Sequence, residues 1–353
     1  MKILITTVGL FMVLATVLPL IPKDAWWIRM FDFPRLQIMA IAAFILAIYL
    51  IFFDIQNPFS LIFCVALLAA IVYQAFCIFP YTPLAAKQVE NSSQQNNPSC
   101  FSLMVANVLM NNRSATQLRT IVQAANPDLL LAVETDHWWE EQLQSLASDY
   151  PYKVSHILDN TYGMLLYSRL PLAETKVKFL VQDDVPSIHT LVNLPSGEQV
   201  ELHCLHPLPP SPTEHERSTE RDAELLLVGK AVRDARRPVV VVGDMNDVAW
   251  SRTTRLFQKV SGLLDPRVGR GLFNTFHATY PLLRWSLDHI FHSTELRLVK
   301  LKRLPYFGSD HFPMYIALSV EPRAASHQEA PQAETDDWQE AHAKVDKAEY
   351  KPC

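Results

Sequence analysis

The stretch VVVVGDMND, residues 239–247, runs from four valines through a glycine to an aspartate and an asparagine. Four consecutive β-branched residues with no polar position among them predict a strand covered on both faces, hence a central strand of a sheet. The exit of such a strand is where a rigid scaffold presents polar side chains. Asp244 and Asn246 project to the same side of the turn that follows. There the carboxylate can orient a water and the amide can donate to a phosphate oxygen.

Upstream, residues 102–108 and 129–133 read as short buried strands. A helix between them opens at Ser114, with Gln117 three residues on in capping-box spacing, and carries Leu118, Ile121, Val122 and Ala125 at helical spacing. Asn126, Pro127 and Asp128 end it. A second helix starts near Asp136, residues 163–167 are strand-like, and the segments 188–194 and 199–205 flank PSGE, a hairpin signal. Residues 213–235 are helical with Leu225, Leu226 and Val232 inward, and Ser251 caps a further helix. Downstream, strand-like runs recur at 273–278, 286–291, 296–301 and 314–320. The order is mixed, β-α-β units first and hairpins later. It predicts an α/β (α+β) fold of two sheets packed face to face with helices outside.

The chain around this block is of a different kind. Three windows carry no charge, residues 3–21, 36–53 and 55–86, the last with its apolar centre at 59–79. Crossing a bilayer takes about 20 apolar residues, so three transmembrane helices are expected within a membrane domain at 1–86. No small-residue cleavage site precedes Lys23 and Asp24, which argues against a removed signal peptide. Trp26, Trp27 and Phe31 beside Arg29 and Arg35 read as an interfacial belt. The first loop holds Lys23, Arg29 and Arg35 against Asp54 alone in the second, a count that favours a cytoplasmic globular domain; the Trp pair is equally compatible with an outer face. Residues 87–99 read as a linker and 321–353 as a disordered acidic tail with at most a weak helix at 337–349. The middle block, 100–320, has 22 basic and 24 acidic side chains. That balance argues against holding nucleic acid by charge alone. Five cysteines without a CxxC pair indicate neither a disulfide scaffold nor a zinc ribbon.

Residues suited to metal and proton chemistry gather at the strand exits: Asn107, Glu134, His203, His206, Asp244, Asn246, Asp288, Asp310 and His311. Singly, Asn107 is more often a strand cap and Glu134 a surface acid, while His203 lies within a strand and reads as structural. Together they can do more. Glu134 and Asp310 are hard oxygen donors and Asn107 a neutral third, a set that suits Mg²⁺. His311 serves as base toward water if a carboxylate, Asp288 being available, fixes its other nitrogen. His206 supplies a proton or hydrogen bond on the far flank, and Arg169 in YSRLP is a candidate phosphate clamp.

The segments NVLMNNR, DLLLAVETD, YGMLLYSRLPL, LHPLPP, VVVVGDMND, SLDHIF and GSDHFP, in that order, resemble the endonuclease/exonuclease/phosphatase superfamily, the fold of deoxyribonuclease I and exonuclease III. The resemblance covers about residues 100–320, and the layout with N-terminal membrane helices looks like the membrane-anchored bacterial branch. It implies a four-layer αββα sandwich, an inner bacterial membrane, and Mg²⁺- or Mn²⁺-dependent hydrolysis of a phosphoester by activated water. It places metal binding on Asn107, Glu134 and Asp310, water activation on Asp244 and the Asp288–His311 pair, and transition-state contacts on His206 and Asn246. Which of Asp244 and His311 is the base stays open. The substrate class also stays open between a lipid headgroup or small phosphoester and, as an alternative, DNA or RNA. Neither an inositol-phosphatase nor a sphingomyelinase signature is apparent, and no basic insertion for gripping a duplex is present. A calcineurin-like phosphoesterase would need an early DxH pair and a late GNHE segment, both missing. A catalytically dead binding module would have lost one of the site positions, all of which are filled.

Overall fold

Helices α1 (Lys2–Val17), α2 (Trp26–Arg29), α3 (Arg35–Ile51) and α4 (Pro58–Ile78) come first in the computed structural model, which describes residues 2–51, 56–94, 97–212 and 214–348. Apart from the short α2, they are apolar on every side, so packing against one another still leaves Phe44, Ile51, Ile62 and Phe76 exposed. Two spans, Lys2–Leu20 and Pro58–Tyr81, are long and apolar enough to cross a membrane. A third results if Trp26–Asp32 and Arg35–Ile51, bent by 73° at their junction, count as one span. Residues 52 and 53 of the expected second window lie outside the described residues. Buried Arg35 ties the helices together: it donates to Gln74 Oε1 (3.0 Å) and pairs with Asp32 (2.5 Å), while Gln74 donates to Thr16 (3.0 Å).

The segment after α4 is held along a sheet edge. Val89 is fully buried, and Glu90 and Ser92 exchange backbone hydrogen bonds with Leu298. Then follow β1 (Cys100–Asn107), α5 (Ala115–Ala125), β2 (Leu129–Val133), α6 (His137–Leu143), β3 (Tyr152–His156), β4 (Met164–Ser168), β5 (Leu172–Lys178), β6 (Ser187–Asn193) and β7 (Gln199–Leu205). The chain continues through α7 (Thr219–Val232), β8 (Val239–Asp244), α8 (Arg252–Ser261), β9 (Asp288–His292), β10 (Leu296–Arg303), β11 (Met314–Val320) and α9 (Thr335–Lys347). One sheet has the order β10-β11-β1-β2-β4-β3, the other β5-β6-β7-β8-β9.

The valine run shows why the sandwich forms. Val240 and Val242 point between the sheets, against Leu103, Leu131, Leu202 and Ile290. Val239 and Val241 point outward, onto Leu225, Val228 and Phe257 of α7 and α8. On the other sheet Met104, Leu130 and Leu165 meet Leu118, Val122 and Trp139 of α5 and α6. Both faces of both sheets are covered, giving the four layers the resemblance implied, and each buried aliphatic side chain contributes about 1.5–3 kcal/mol.

Several local expectations differ. Strands β3 and β5 were not expected; both carry half-exposed, polar-rich sequences at sheet edges, where one face needs no apolar residue. Residues 273–278 form no strand, only isolated bridges at Phe276. Helix α7 begins at Thr219, six residues later than expected. The tail is not disordered through residue 348. Gln328 caps the carbonyls of Thr294 and Leu296, and α9 buries Ala341 and Val345 against Leu226, Leu256 and Val260. A few small apolar residues on one face suffice because Lys344 and Lys347 add ion pairs to Asp222 and Asp24.

Candidate active site

Strands β1 and β2 are parallel, as are β7 and β8, so all four end at one edge of the sandwich. Their antiparallel partners β4, β9 and β11 begin at that edge. The topology therefore collects Asn107, Glu134, His206 and Asp244 from strand ends, Asp288 from a strand start, and residues 304–313 from the loop entering β11. Asp244 and Asp288 are direct cross-strand partners. Gly243 lets β7 lie close against the end of β8: a Cβ there would stand 1.8 Å from the Leu205 carbonyl, and its φ is +149°. Leu109, Glu134 and Asn246, each just past a strand end, hold left-handed backbone at φ 55°, 60° and 50°. That conformation costs about 1–3 kcal/mol at a non-glycine residue and clusters where a site over-determines it.

His311 is the centre of the arrangement. Its Nδ1 lies 2.8 Å from Asp288 Oδ2 and its Nε2 3.5 Å from Asp244 Oδ2. Asn107 Nδ2 donates to Glu134 Oε1 (2.6 Å) and to Asp244 Oδ2 (3.0 Å), so the amide bridges two carboxylates. Asp244 Oδ1 accepts the Asn246 N–H (3.0 Å), and Asn246 Nδ2 donates to the Pro207 carbonyl (2.9 Å). Ser309 Oγ donates to the Asn107 carbonyl (2.8 Å) and lies 3.4 Å from Asp310 Oδ1, which ties the Asp310–His311 turn to the end of β1. His206 is buried against Tyr162, with no hydrogen-bond partner on Nδ1 among the described residues.

Burial lifts Glu134 above the usual carboxylate range against the pull of His206 and Asn107. Burial likewise raises Asp288. At Asp244 burial is outweighed by His311 and His206, and the group is held low. Burial opposes a charged His311, but Asp288 and Asp244 outweigh it and lift the imidazole to about 10. The result is a cationic ring between two acids, its orientation set by Asp288.

The donor chemistry fits a divalent cation. Among the described residues no Lys or Arg pairs with Glu134, Asp244, Asp288 or Asp310, and Asp288 Oδ1 is buried without a hydrogen bond. Asp244, Asp288 and His311 offer ligand atoms within 4.8 Å of one another, yet both nitrogens of His311 already face carboxylates. Glu134 Oε2, with only a 3.4 Å contact to the Met110 N–H, and Asp310 retain open lone pairs. Asn107 meets the acids through its NH₂, while its Oδ1 accepts the Leu109 N–H (2.9 Å); ligation by that oxygen requires the amide to turn over.

One expected site residue is elsewhere. Arg169 follows β4, whose antiparallel register pairs Ser168 with Leu129 and Met164 with Val133. Arg169 therefore lies at the entry end of β2, stacked over Tyr150 and bonded through its N–H to the Asp128 carbonyl, a full strand length from Glu134. Four contributors were not foreseen: Thr275, whose hydroxyl meets the Asp288 N–H at 3.3 Å; Tyr162; Phe276, whose ring is 5.0 Å from that of His311; and the Met110 N–H. Only folding brings them near, and no residue pattern marked them.

Residues 104–311 match the profile of the Endonuclease/Exonuclease/phosphatase family. Among solved structures, an endonuclease/exonuclease/phosphatase from Beutenbergia cavernae is similar at 17% identity and a TM-score of 0.53, over 63% of this chain and 72% of that one. D. rerio TDP2, complexed with a single-strand DNA product, is similar at 18% identity and TM-score 0.52, over 63% and 99%. The human Nocturnin catalytic domain, with bound sulfate, is similar at 17% and 0.51, over 64% and 96%. At these identities the likeness is one of fold. No curated protein sequence matches the chain.

Proposed function

This chain belongs to the Endonuclease/Exonuclease/phosphatase family, and we propose that it is a membrane-anchored, Mg²⁺- or Mn²⁺-dependent phosphoester hydrolase of the membrane-anchored bacterial kind. Residues 1–86 are its anchor, in a bacterial inner membrane, and 100–320 its catalytic part. The observation that carries this reading is the gathering of acids, with Asp244 and Asp288 buried and Glu134 and Asp310 partly buried. Four carboxylates from separate elements gather around one doubly paired imidazole, and among the described residues none of the four is ion-paired to a Lys or Arg.

Glu134 and Asp310, with Asn107 once its amide is turned, would hold the cation, which when bound polarises a phosphoryl oxygen and stabilises the leaving oxyanion. The chain's own groups do the rest. Asp244, held low and fixed by the Asn246 N–H, orients the attacking water and takes its proton. His311, fixed on Nδ1 by Asp288, presents a charged Nε2 N–H to the phosphoryl oxygen as negative charge builds. His206 and the Asn246 amide line the opposite flank, where a leaving oxygen needs a donor.

Full-length chain in detergent should hydrolyse bis-p-nitrophenyl phosphate with Mg²⁺ or Mn²⁺, lose turnover in excess chelator and regain it when the cation is restored. Full turnover in chelator sinks the cation. DNA or RNA is the second substrate class. The near-neutral balance of residues 100–320 gives it little long-range attraction for a polyanion, and anchoring raises the local concentration of membrane esters instead.

A further inference from the structure

The wall of the site is continuous with the membrane-proximal end of the anchor. The His311 ring lies 5.0 Å from Phe276, Phe276 stacks on Trp285 at 6.0 Å, and Trp285 meets Phe33, between α2 and α3, edge-on at 5.8 Å. Phe276 and Trp285 share one apolar cluster with Tyr73 and Cys77 of α4. The contacts are not only apolar. Gln37, on the first turn of α3, donates to the Leu282 carbonyl (2.7 Å), and Tyr81 donates to the Ala249 carbonyl (2.8 Å). The catalytic edge of the sandwich therefore sits on the end of the helices where the apolar spans begin and finish.

The loop between Phe276 and Trp285 is unusual for a surface loop. Leu282 is 84% exposed, Tyr280 58% and Leu283 48%, three large apolar side chains in four residues. A soluble surface would bury or replace them. The same end of the helices exposes Trp27, Met30, Leu36, Phe79 and Leu84, so the loop continues an apolar band rather than standing alone. Two cations stand at its base, Arg284 within the loop and Arg303 beside it. Arg284 and Arg303 both lie over Phe312, the residue after His311, at 5.0 and 4.4 Å, and among the described residues no acid pairs with either. Leu and Tyr beside arginines held by backbone carbonyls but by no acid among the described residues make up the composition that seats at the headgroup boundary of a bilayer.

We propose that residues 279–285 are a lipid-inserting rim of the active site, and that the ester it hydrolyses is the phosphate ester of a bilayer lipid. The proposal rests on the anchored-hydrolase reading above and narrows its substrate. With the rim in the interface, the scissile phosphate stands at headgroup depth beside His311. Water reaches the site from the domain side, and the lipid need not leave the bilayer. A nucleic acid would approach from solution and gain nothing from Leu282.

Two measurements on the full chain in phosphatidylcholine–phosphatidylglycerol vesicles test this. Hydrolysis of vesicle phospholipid is compared with that of bis-p-nitrophenyl phosphate in the wild type and in the double variant Leu282→Ser/Leu283→Ser. The lipid-to-soluble-ester rate ratio should fall at least tenfold in the variant; an unchanged ratio overturns the rim. Separately, the emission added by Leu282→Trp should be strongly quenched by lipids brominated on their acyl chains, and no quenching overturns insertion even if the ratio falls. Cleavage of single-stranded DNA with no cleavage of phospholipid overturns the lipid substrate but leaves the hydrolase reading standing. Failure of the wild type on every ester removes the hydrolase reading, while the bromine quenching still reports on the rim.

Discussion

Two buried clusters of charge lie within the α/β part, and they are built on opposite principles. Around Arg221 every charge is answered. Its guanidinium takes Asp222 through Nε (3.1 Å) and Nη2 (2.8 Å), donates to the Asn246 carbonyl (2.7 Å) and lies 3.5 Å from Asp247. Asp222 also receives Lys344 (2.6 Å), Thr253 (2.9 Å) and Ser218 (3.2 Å); burial works against its charge, but Lys344 and Arg221 hold it far below the carboxylate range. Around His311 the acids outnumber the cation, and one carboxylate oxygen, Asp288 Oδ1, has no hydrogen-bond partner among the described residues. A balanced buried cluster locks elements together; an unbalanced one is tolerable only where something else brings positive charge. The two touch at Asn246, whose N–H holds Asp244 and whose carbonyl is clamped by Arg221.

The contrast predicts that substitutions on the two sides separate activity from stability. The largest effect is expected at the site. Glu134→Ala and His311→Ala should each cost about 10²–10⁴-fold in turnover, with Glu134→Ala no less stable to heat than the parent because it relieves acid repulsion. A variant that unfolds early would place Glu134 with the structural cluster. Next comes Arg221→Met, which strands Asp222 and Asp247 in the interior. Loss of one partner from a buried network costs about 3–5 kcal/mol, readable as a lowered unfolding midpoint of the full chain in detergent.

A smaller effect is set by pH. Glu224 on α7 is buried with an unpartnered Oε1, and burial pushes its carboxyl up to about 8. From its ordinary 4.5 up to about 8 the folded state holds a proton the unfolded state has released, so stability falls as pH rises through that window. Below 4.5 both states are protonated and nothing is lost. Glu224→Gln should therefore match the parent at pH 4.5 and exceed its melting temperature by a margin that grows to pH 8; a margin independent of pH would mean the glutamate is charged when folded. The smallest effect is expected from Arg169→Ala, a cation outside both clusters, which should change turnover less than about twofold. A hundredfold loss would return Arg169 to the site.

Much of this was legible from order along the chain. Asn107, Glu134 and Asp244 stand where an apolar run ends, and Asp288 and His311 where one is about to begin, and such runs announce strands whatever their partners. The four valines announced a strand covered on both faces. What failed to read shares one cause. Strands β3 and β5 and helix α9 have weak apolar patterns, and they are stabilised by edge pairing and by ion pairs to residues as distant as Asp24. Arg169 looked like a clamp because YSRLP sits beside a strand; the direction of β4 decided otherwise.

Composition and spacing alone determined that this chain has apolar helices followed by an α/β block with acids, amides and a histidine at its strand ends, because solvation drives apolar runs inside and leaves polar residues at their exits. Tertiary structure alone decided which of those ends face one another, for strand direction is a property of pairing. It decided that Asp288 takes the inner nitrogen of His311 and that Arg169 points away from the chemistry. It also joined the candidate site's edge to the foot of the helices, a juxtaposition of Phe276 and Phe33 across more than two hundred residues that local sequence has no means of encoding.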